Sequence, residues 1–161
     1  EHIPSKETDS EGNEISYLQS NEKDVLKGFW NLLAHYKNAI LITFNGRNFD
    51  APFLMLRSAV LEIAPTRNLM EGTKFNYPMH IDLLDVLTFY SQSQYGATRR
   101  FNFDFYTQAF GLVSPKSKEV NGSVVSDFFG EGEYEVIARY CLRDVAATWQ
   151  LFKRIRKYLF I

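Results

Sequence analysis

The run at residues 39–44, AILITF, constrains this chain more than any other segment. It is almost continuously apolar and rich in β-branched residues, the pattern of a strand buried on both faces and so placed in the middle of an α/β sheet. Asn45-Gly46 ends the run, and Pro52 suits the first turn of a helix carrying Phe53, Leu54, Leu56, Val60 and Leu61. Upstream, Val25, Leu26, Phe29, Trp30 and Leu33 recur at helical spacing, which predicts a helix over residues 21–36 capped by Ser20 or Asn21. Residues 14–18 read as a short strand before it. Downstream, residues 65–78 read as irregular or briefly helical, and 80–90 as a short strand or helix start with Asp82 or Asp85 as cap. Asn102 is expected to cap a helix through Phe110, with Gly111 in the left-handed position after it. A loop over 113–122, a short helix ending near Gly130 and a long helix over 133–159 complete the reading.

Bulk properties narrow the partners. The 161 residues fit one domain with a real core. The 18 Lys and Arg against 19 Asp and Glu leave a net charge of −1, so any nucleic acid must be gripped locally rather than coated. The aromatic content of 16% serves either a thick core or base stacking. One cysteine, Cys141, excludes an internal disulfide and is expected in the core. No apolar run reaches the ~18–20 residues of a membrane span, and no signal peptide is evident; a soluble, cytoplasmic chain is expected. Residues 1–14 are polar and read as a flexible segment, and the first residue is Glu rather than Met, which suggests chain upstream.

Two places carry chemistry. Asp50 directly follows the buried strand, at the end of a sheet where active sites collect; its bland alternative is a plain helix cap. Tyr140 and Asp144 lie four apart on the last helix and so share a face, where a carboxylate can bind a cation and a phenol can hold a water beside it. The bland alternative is a surface acid near a half-buried tyrosine. Lys116 and Lys118 sit in a loop and are candidates for substrate phosphates. His80 and Asp82 read either as a spacer and a cap or as a network supporting the site. Phe101, Phe103, Phe105, Tyr106 and Phe110 are expected in the core, and residues 153–157, KRIRK, at a solvated helix end.

With their flanks, these places resemble a known family. TFNGRNFDAPFL (43–54) is similar to the second exonuclease motif of B-family DNA polymerases, N-x-x-x-F-D-x-P, matched by Asn45, Phe49, Asp50 and Pro52. YCLRD (140–144) resembles the third motif, Y-x-x-x-D. HIDLLD (80–85) and K-x-K-x-V-x-G (116–122) resemble stand-alone relatives of that domain. The likeness spans about 40–152 and implies a ribonuclease-H-like mixed sheet flanked by helices, occupying 15–161. It also implies a 3′→5′ exonuclease with two Mg²⁺ or Mn²⁺ ions bracketing the scissile phosphate. Asp144 and Asp50 would then be metal ligands, Tyr140 would orient the attacking water, and Asn45 and Phe49 would contact the terminal nucleotides. The implied partner is a single-stranded 3′ end, of DNA rather than RNA. Arg139 stands where a histidine branch of the family would have its histidine, which favours the tyrosine branch.

The family's first motif, D-x-E on an apolar strand, is not found. Glu7 and Asp9 form E-x-D in a polar segment and are a poor substitute. The N-terminal strands of the fold are therefore expected to be missing, and the chain as it stands to be inactive. The alternative reading is a non-catalytic module that binds nucleic acid or protein. An open apolar edge at 39–44 further predicts a dimer, strand exchange or another chain patched onto it.

Overall fold

A computed structural model describes residues 2–3, 7–9, 12–91, 93–114 and 124–160. The chain runs β1 (His2–Ile3), β2 (Tyr17–Leu18), α1 (Glu22–His35), β3 (Leu41–Thr43), α2 (Asp50–Val60), β4 (His80–Asp82), α3 (Leu83–Leu87), α4 (Phe103–Ala109), α5 (Val125–Gly130) and α6 (Tyr134–Leu159). It is a mixed α/β arrangement built on a small parallel sheet. β3 and β4 pair in parallel, Leu41 opposite His80 and Thr43 opposite Asp82, with α2 in the crossover. β1 and β2 form an antiparallel pair, extended by a bridge between Thr8 and Glu14.

Local chemistry fixes the helix starts. The Asn21 side chain accepts from the Asp24 N–H at 3.0 Å and Asn102 from the Phe105 N–H at 2.8 Å, each satisfying a donor that the first turn leaves open. Gly111 takes the left-handed conformation, φ 68°, after α4. In α6, Ala147, Leu151 and Ile155 recur every fourth residue and are buried. That stripe packs against β3 and α3. Its Leu151 and Ile155 form one core cluster with Leu83, Leu84, Leu87 and Tyr106. Leu26, Trp30, Leu33, Ala51 and Leu69 form a second between α1 and α2, where the Trp30 indole N–H donates to Ser58 Oγ at 2.9 Å.

Three expectations are corrected. The strand at 39–44 is shorter, and its residues are half-buried rather than enclosed on both faces. The reason is that β4 is its one partner among the described residues, so its other edge is open. Cys141 is exposed, because the buried positions of α6, Ala147, Leu151 and Ile155, all lie in its C-terminal part, beyond the turn that carries Cys141. Phe105 is also exposed, whereas Tyr106 is buried and Phe101, Phe103 and Phe110 pack against the core.

The polar centre is Asp82, fully buried at the end of β4. Its Oδ1 accepts from Asn45 N at 2.8 Å and Leu84 N at 3.0 Å, and its Oδ2 from Arg47 N at 2.9 Å. It therefore caps α3 and also clamps the loop after β3. Burial holds its pKa above the ordinary aspartate value, against the pull of these N–H groups. Asp82→Ala leaves buried donors without an acceptor, so we expect a loss of about 3 kcal/mol or more. Asp82→Asn retains one oxygen and should lose less; urea unfolding of both variants checks the order.

His80, on the same strand, bonds Thr43 Oγ1 through Nε2 at 2.7 Å. Burial first, and the Arg47 charge second, push its pKa down to about 4 from 6.5. A depressed histidine binds fewer protons folded than unfolded, so its contribution is complete above 6.5 and is lost as pH falls toward 4. We expect a loss on the order of 3 kcal/mol over that window. Unfolding measured across it should flatten in His80→Gln.

Candidate active site

The site begins where β3 ends. Asn45 has φ 66°, a left-handed conformation that asparagine tolerates better than most residues. Gly46 follows, and a Cβ there would stand 2.4 Å from Thr43 Oγ1, so the turn excludes a side chain at this position. With the Asn45 and Arg47 N–H groups held by Asp82, the chain folds back so that Phe49 N donates to Asn45 O at 3.1 Å and Ala51 N to Gly46 O at 2.8 Å. Phe49 is the residue before α2 and makes no side-chain cap. Asp50 is thus the first helical residue rather than a plain cap, and its exposed carboxylate lies at the positive end of the helix.

On the other side, α6 packs along β3 and brings Tyr140 and Asp144, one turn apart, toward the same space. Asp50, Tyr140 and Asp144 line one trough of about 660 Å³. Its apolar wall is formed by Ile42, Phe44, Val145 and Trp149, and its far end by Asn102, Phe103 and Asp104. The Tyr140 hydroxyl and the Asp144 carboxylate act on each other's titration. Burial raises the Asp144 pKa, with the Tyr140 bond and the Arg143 charge pulling it back. Burial also raises Tyr140, reinforced by the Asp144 charge, so the phenol stays protonated as a donor.

Asn45 turns its amide oxygen to Arg100 Nη2 and, at 3.3 Å, to Asn48 Nδ2. Phe49 is 65% exposed and lies parallel to Phe53, with ring centroids 6.3 Å apart. Lys116 and Lys118 lie outside the described residues. Glu7 and Asp9 are held elsewhere: Glu7 pairs with Arg139 of α6, and Asp9 accepts from Asn13 N at 2.8 Å. The Arg139 pair is the chief reason the Glu7 carboxyl titrates below its usual value, and it ties the polar N-terminal stretch to α6. His80 and Asp82 are both a strand-end pair and a support, since Asp82 holds the loop that leads to Asp50.

Sequence reasoning passed over Arg100, Asp104 and Trp149. Arg100 approaches Asn45 from 55 residues away, a contact with no local signature. Asp104 lies in the first turn of α4, where it looks like any helix-start acid, and it accepts from Ser114 Oγ. Trp149 is one turn beyond Val145 but five residues, about 140° round α6, from Asp144, so the i, i+4 spacing that joins Tyr140 to Asp144 does not reach it.

Carboxylates and a phenol are oxygen donors of the type hard divalent cations take. They are too few here: among the described residues no group of three or more His, Cys, Asp or Glu is placed to hold a metal ion. Mg²⁺ in particular demands near-octahedral coordination, so Asp50 and Asp144 fit part of a metal site rather than a whole one.

Comparison with known proteins gives the family. The chain is 28% identical over 161 residues to a DNA polymerase of Desulfurococcus sp. (strain Tok), an alignment covering 87% of this chain and 19% of that protein. It is 30% identical over 148 residues to a DNA polymerase of Thermococcus sp. (strain 9oN-7), covering 82% of this chain and 18% of the relative. A DNA polymerase of Thermococcus aggregans is 26% identical over 156 residues, 83% of this chain and 8% of its own length. The chain thus spans less than a fifth of these relatives. No solved structure matches it significantly. No described helix is long and apolar enough to cross a membrane. Residues 5–159, nearly the whole chain and both motifs of the trough, match one family, and the chain belongs to it: the predicted 3′–5′ exonucleases related to the exonuclease domain of PolB.

Proposed function

We propose that this chain supplies the catalytic core of an exonuclease that removes nucleotides from single-stranded 3′ ends, of DNA in preference to RNA, using Mg²⁺ or Mn²⁺. The observation that supports it most is the convergence on one trough of Asp50, Tyr140 and Asp144, which come from motifs remote in the sequence. In this reading Asp50 and Asp144 are two of the metal ligands. Bound divalent cations supply charge at the scissile phosphate and at the attacking water. Tyr140, one turn from Asp144, turns its hydroxyl to hold that water. Asn45 presents its amide to the terminal nucleotide, and the exposed ring of Phe49 packs on its base or sugar.

The remaining carboxylates, in this reading, come from a strand laid along the free edge of β3. Three features favour that position: the edge is unpaired among the described residues, the adjoining wall is apolar, and the acids sit at its rim. The sparse donor set also favours a second reading, in which the trough holds a 3′ end or a protein segment without cutting it. Metal-dependent cleavage separates the two.

Asp144→Ala in the strand-completed protein is expected to abolish Mn²⁺- or Mg²⁺-dependent shortening of a single-stranded oligonucleotide. Tyr140→Phe should slow it by about 10²–10⁴-fold while leaving metal affinity intact, since it removes a group that positions water. Full activity in Asp144→Ala would end this assignment.

Calorimetric titration of Mn²⁺ gives the complementary check. The 161-residue chain is expected to bind weakly, and a form carrying an added acidic strand tightly. Equally tight binding by both would place the ligands elsewhere. Because cation binding requires ionised Asp144, whose pKa burial raises, affinity should climb as pH rises through and above the ordinary aspartate range.

A further inference from the structure

Residues 93–104 line two hollows in succession. Asn102, Phe103 and Asp104 close one end of the trough. Ser93, Gln94, Tyr95, Arg99 and Arg100 line a second hollow of about 530 Å³. The two are joined through the short stretch 100–102 and through Arg100, which touches Asn45 at the mouth of the catalytic loop. The second hollow therefore neighbours the lining of the trough, Arg100 standing two residues before Asn102.

Its chemistry differs from that of the trough. No acid among the described residues lines it, whereas the trough holds three carboxylates, Asp50, Asp104 and Asp144. Among the described residues, neither Arg99 nor Arg100 has a carboxylate partner. Arg99 lies over the Phe101 ring, 5.3 Å from its centroid, and Tyr95 is 82% exposed. The segment is nonetheless built. Arg99 N donates to Gly96 O at 3.1 Å, Tyr95 N to Ser93 Oγ at 3.1 Å, and Tyr106 Oη to Arg99 O at 3.3 Å. Two uncompensated guanidinium groups with an exposed ring beside them are the elements by which proteins hold a single strand: cations on phosphates and an aromatic face under a base. In a chain of net charge −1, such a place is where a polyanion gains most.

We propose that this hollow is a second binding site for the single-stranded substrate, in which Arg99 and Arg100 hold backbone phosphates beyond the terminal nucleotides and Tyr95 stacks on a base. It rests on the exonuclease reading of the trough and extends it, because it sets how much strand the protein grips. Arg100 also has a link to the reacting end: a phosphate that draws its guanidinium away from Asn45 frees that amide oxygen for the terminal nucleotide. Arg99, which makes no contact with Asn45, isolates the strand-holding role.

The test is equilibrium binding without cleavage, by fluorescence anisotropy of a labelled long oligothymidylate in EDTA, with unlabelled thymidine dinucleotide as competitor. Arg99→Gln, and Arg99→Gln with Arg100→Gln, should weaken the long oligomer, the double variant by about tenfold. They should also flatten the dependence of log affinity on log salt by about 0.7 per lost phosphate contact. The dinucleotide, which fits the trough alone, should bind Arg99→Gln as it binds the unaltered protein. Should the double variant fail to fold, Arg99→Gln and Tyr95→Ala carry the test by themselves. Unchanged affinity and salt slope in Arg99→Gln, or equal losses for long and short oligomers, would overturn the second site and leave the exonuclease reading standing. Failure of the unaltered protein to bind the long oligomer would overturn the second site, while metal-dependent cleavage is the separate test of the exonuclease reading.

Discussion

The candidate site depends on one buried carboxylate. Asp82 ends β4, yet its oxygens reach across to the backbone of the loop that leaves β3. A parallel strand pair makes this geometry available, because both strands point their C-terminal ends the same way. The loop in question is not inherently stable. It contains a left-handed Asn45 and a Gly46 pressed against Thr43, and it enters α2 without a side-chain cap. Two N–H bonds to Asp82 offset that local cost and fix the direction in which Asp50 emerges. The same carboxylate caps α3, so the buried α3 cluster and the loop that leads to Asp50 are tied to one group.

The trough itself is held in an unfavourable electrostatic state. Asp144 is partly withdrawn from water beside apolar Val145, Trp149 and Phe44, and burial outweighs the bonds that favour its charge. Such a carboxylate is poised to gain from a cation, since the ion removes the penalty of ionisation while adding its own attraction. Burial also raises the pKa of Tyr140, one turn away, so the phenol beside Asp144 stays protonated. The apolar wall and the open edge of β3 belong to the same arrangement: among the described residues both lack a partner, and both border the acids.

Much of this was legible in the sequence, where the signal was local. The caps at Asn21 and Asn102, the glycine after α4 and the long amphipathic α6 are set within a turn or two of chain, and the structure has them. The two motif segments were legible for a different reason, since both lie within short stretches whose side-chain order is itself the signal. What could not be read were contacts between distant segments. Glu7 with Arg139 and Arg100 with Asn45 each join residues many turns apart, and neither partner carries a mark of the other. The burial of AILITF was overread because periodicity reports the character of a segment, not whether a second strand stands beside it. Cys141 was misplaced by treating proximity to Tyr140 in sequence as proximity on the helix.

The charge distribution ties these parts into a single requirement. A near-neutral chain that concentrates carboxylates in its trough repels the phosphate backbone from the place where it would be cut. In the proposed exonuclease, cations in the trough would remove that repulsion only when present, whereas Arg99 and Arg100, which line the second hollow, would act at all times. Holding the strand beside the acids and neutralising the acids are then separate tasks assigned to separate groups. Affinity for a strand should follow the arginines and salt, and turnover should follow the divalent ion. A fold that mixed the two, with the arginines inside the trough, would pair them to Asp50 and Asp144 and leave neither available.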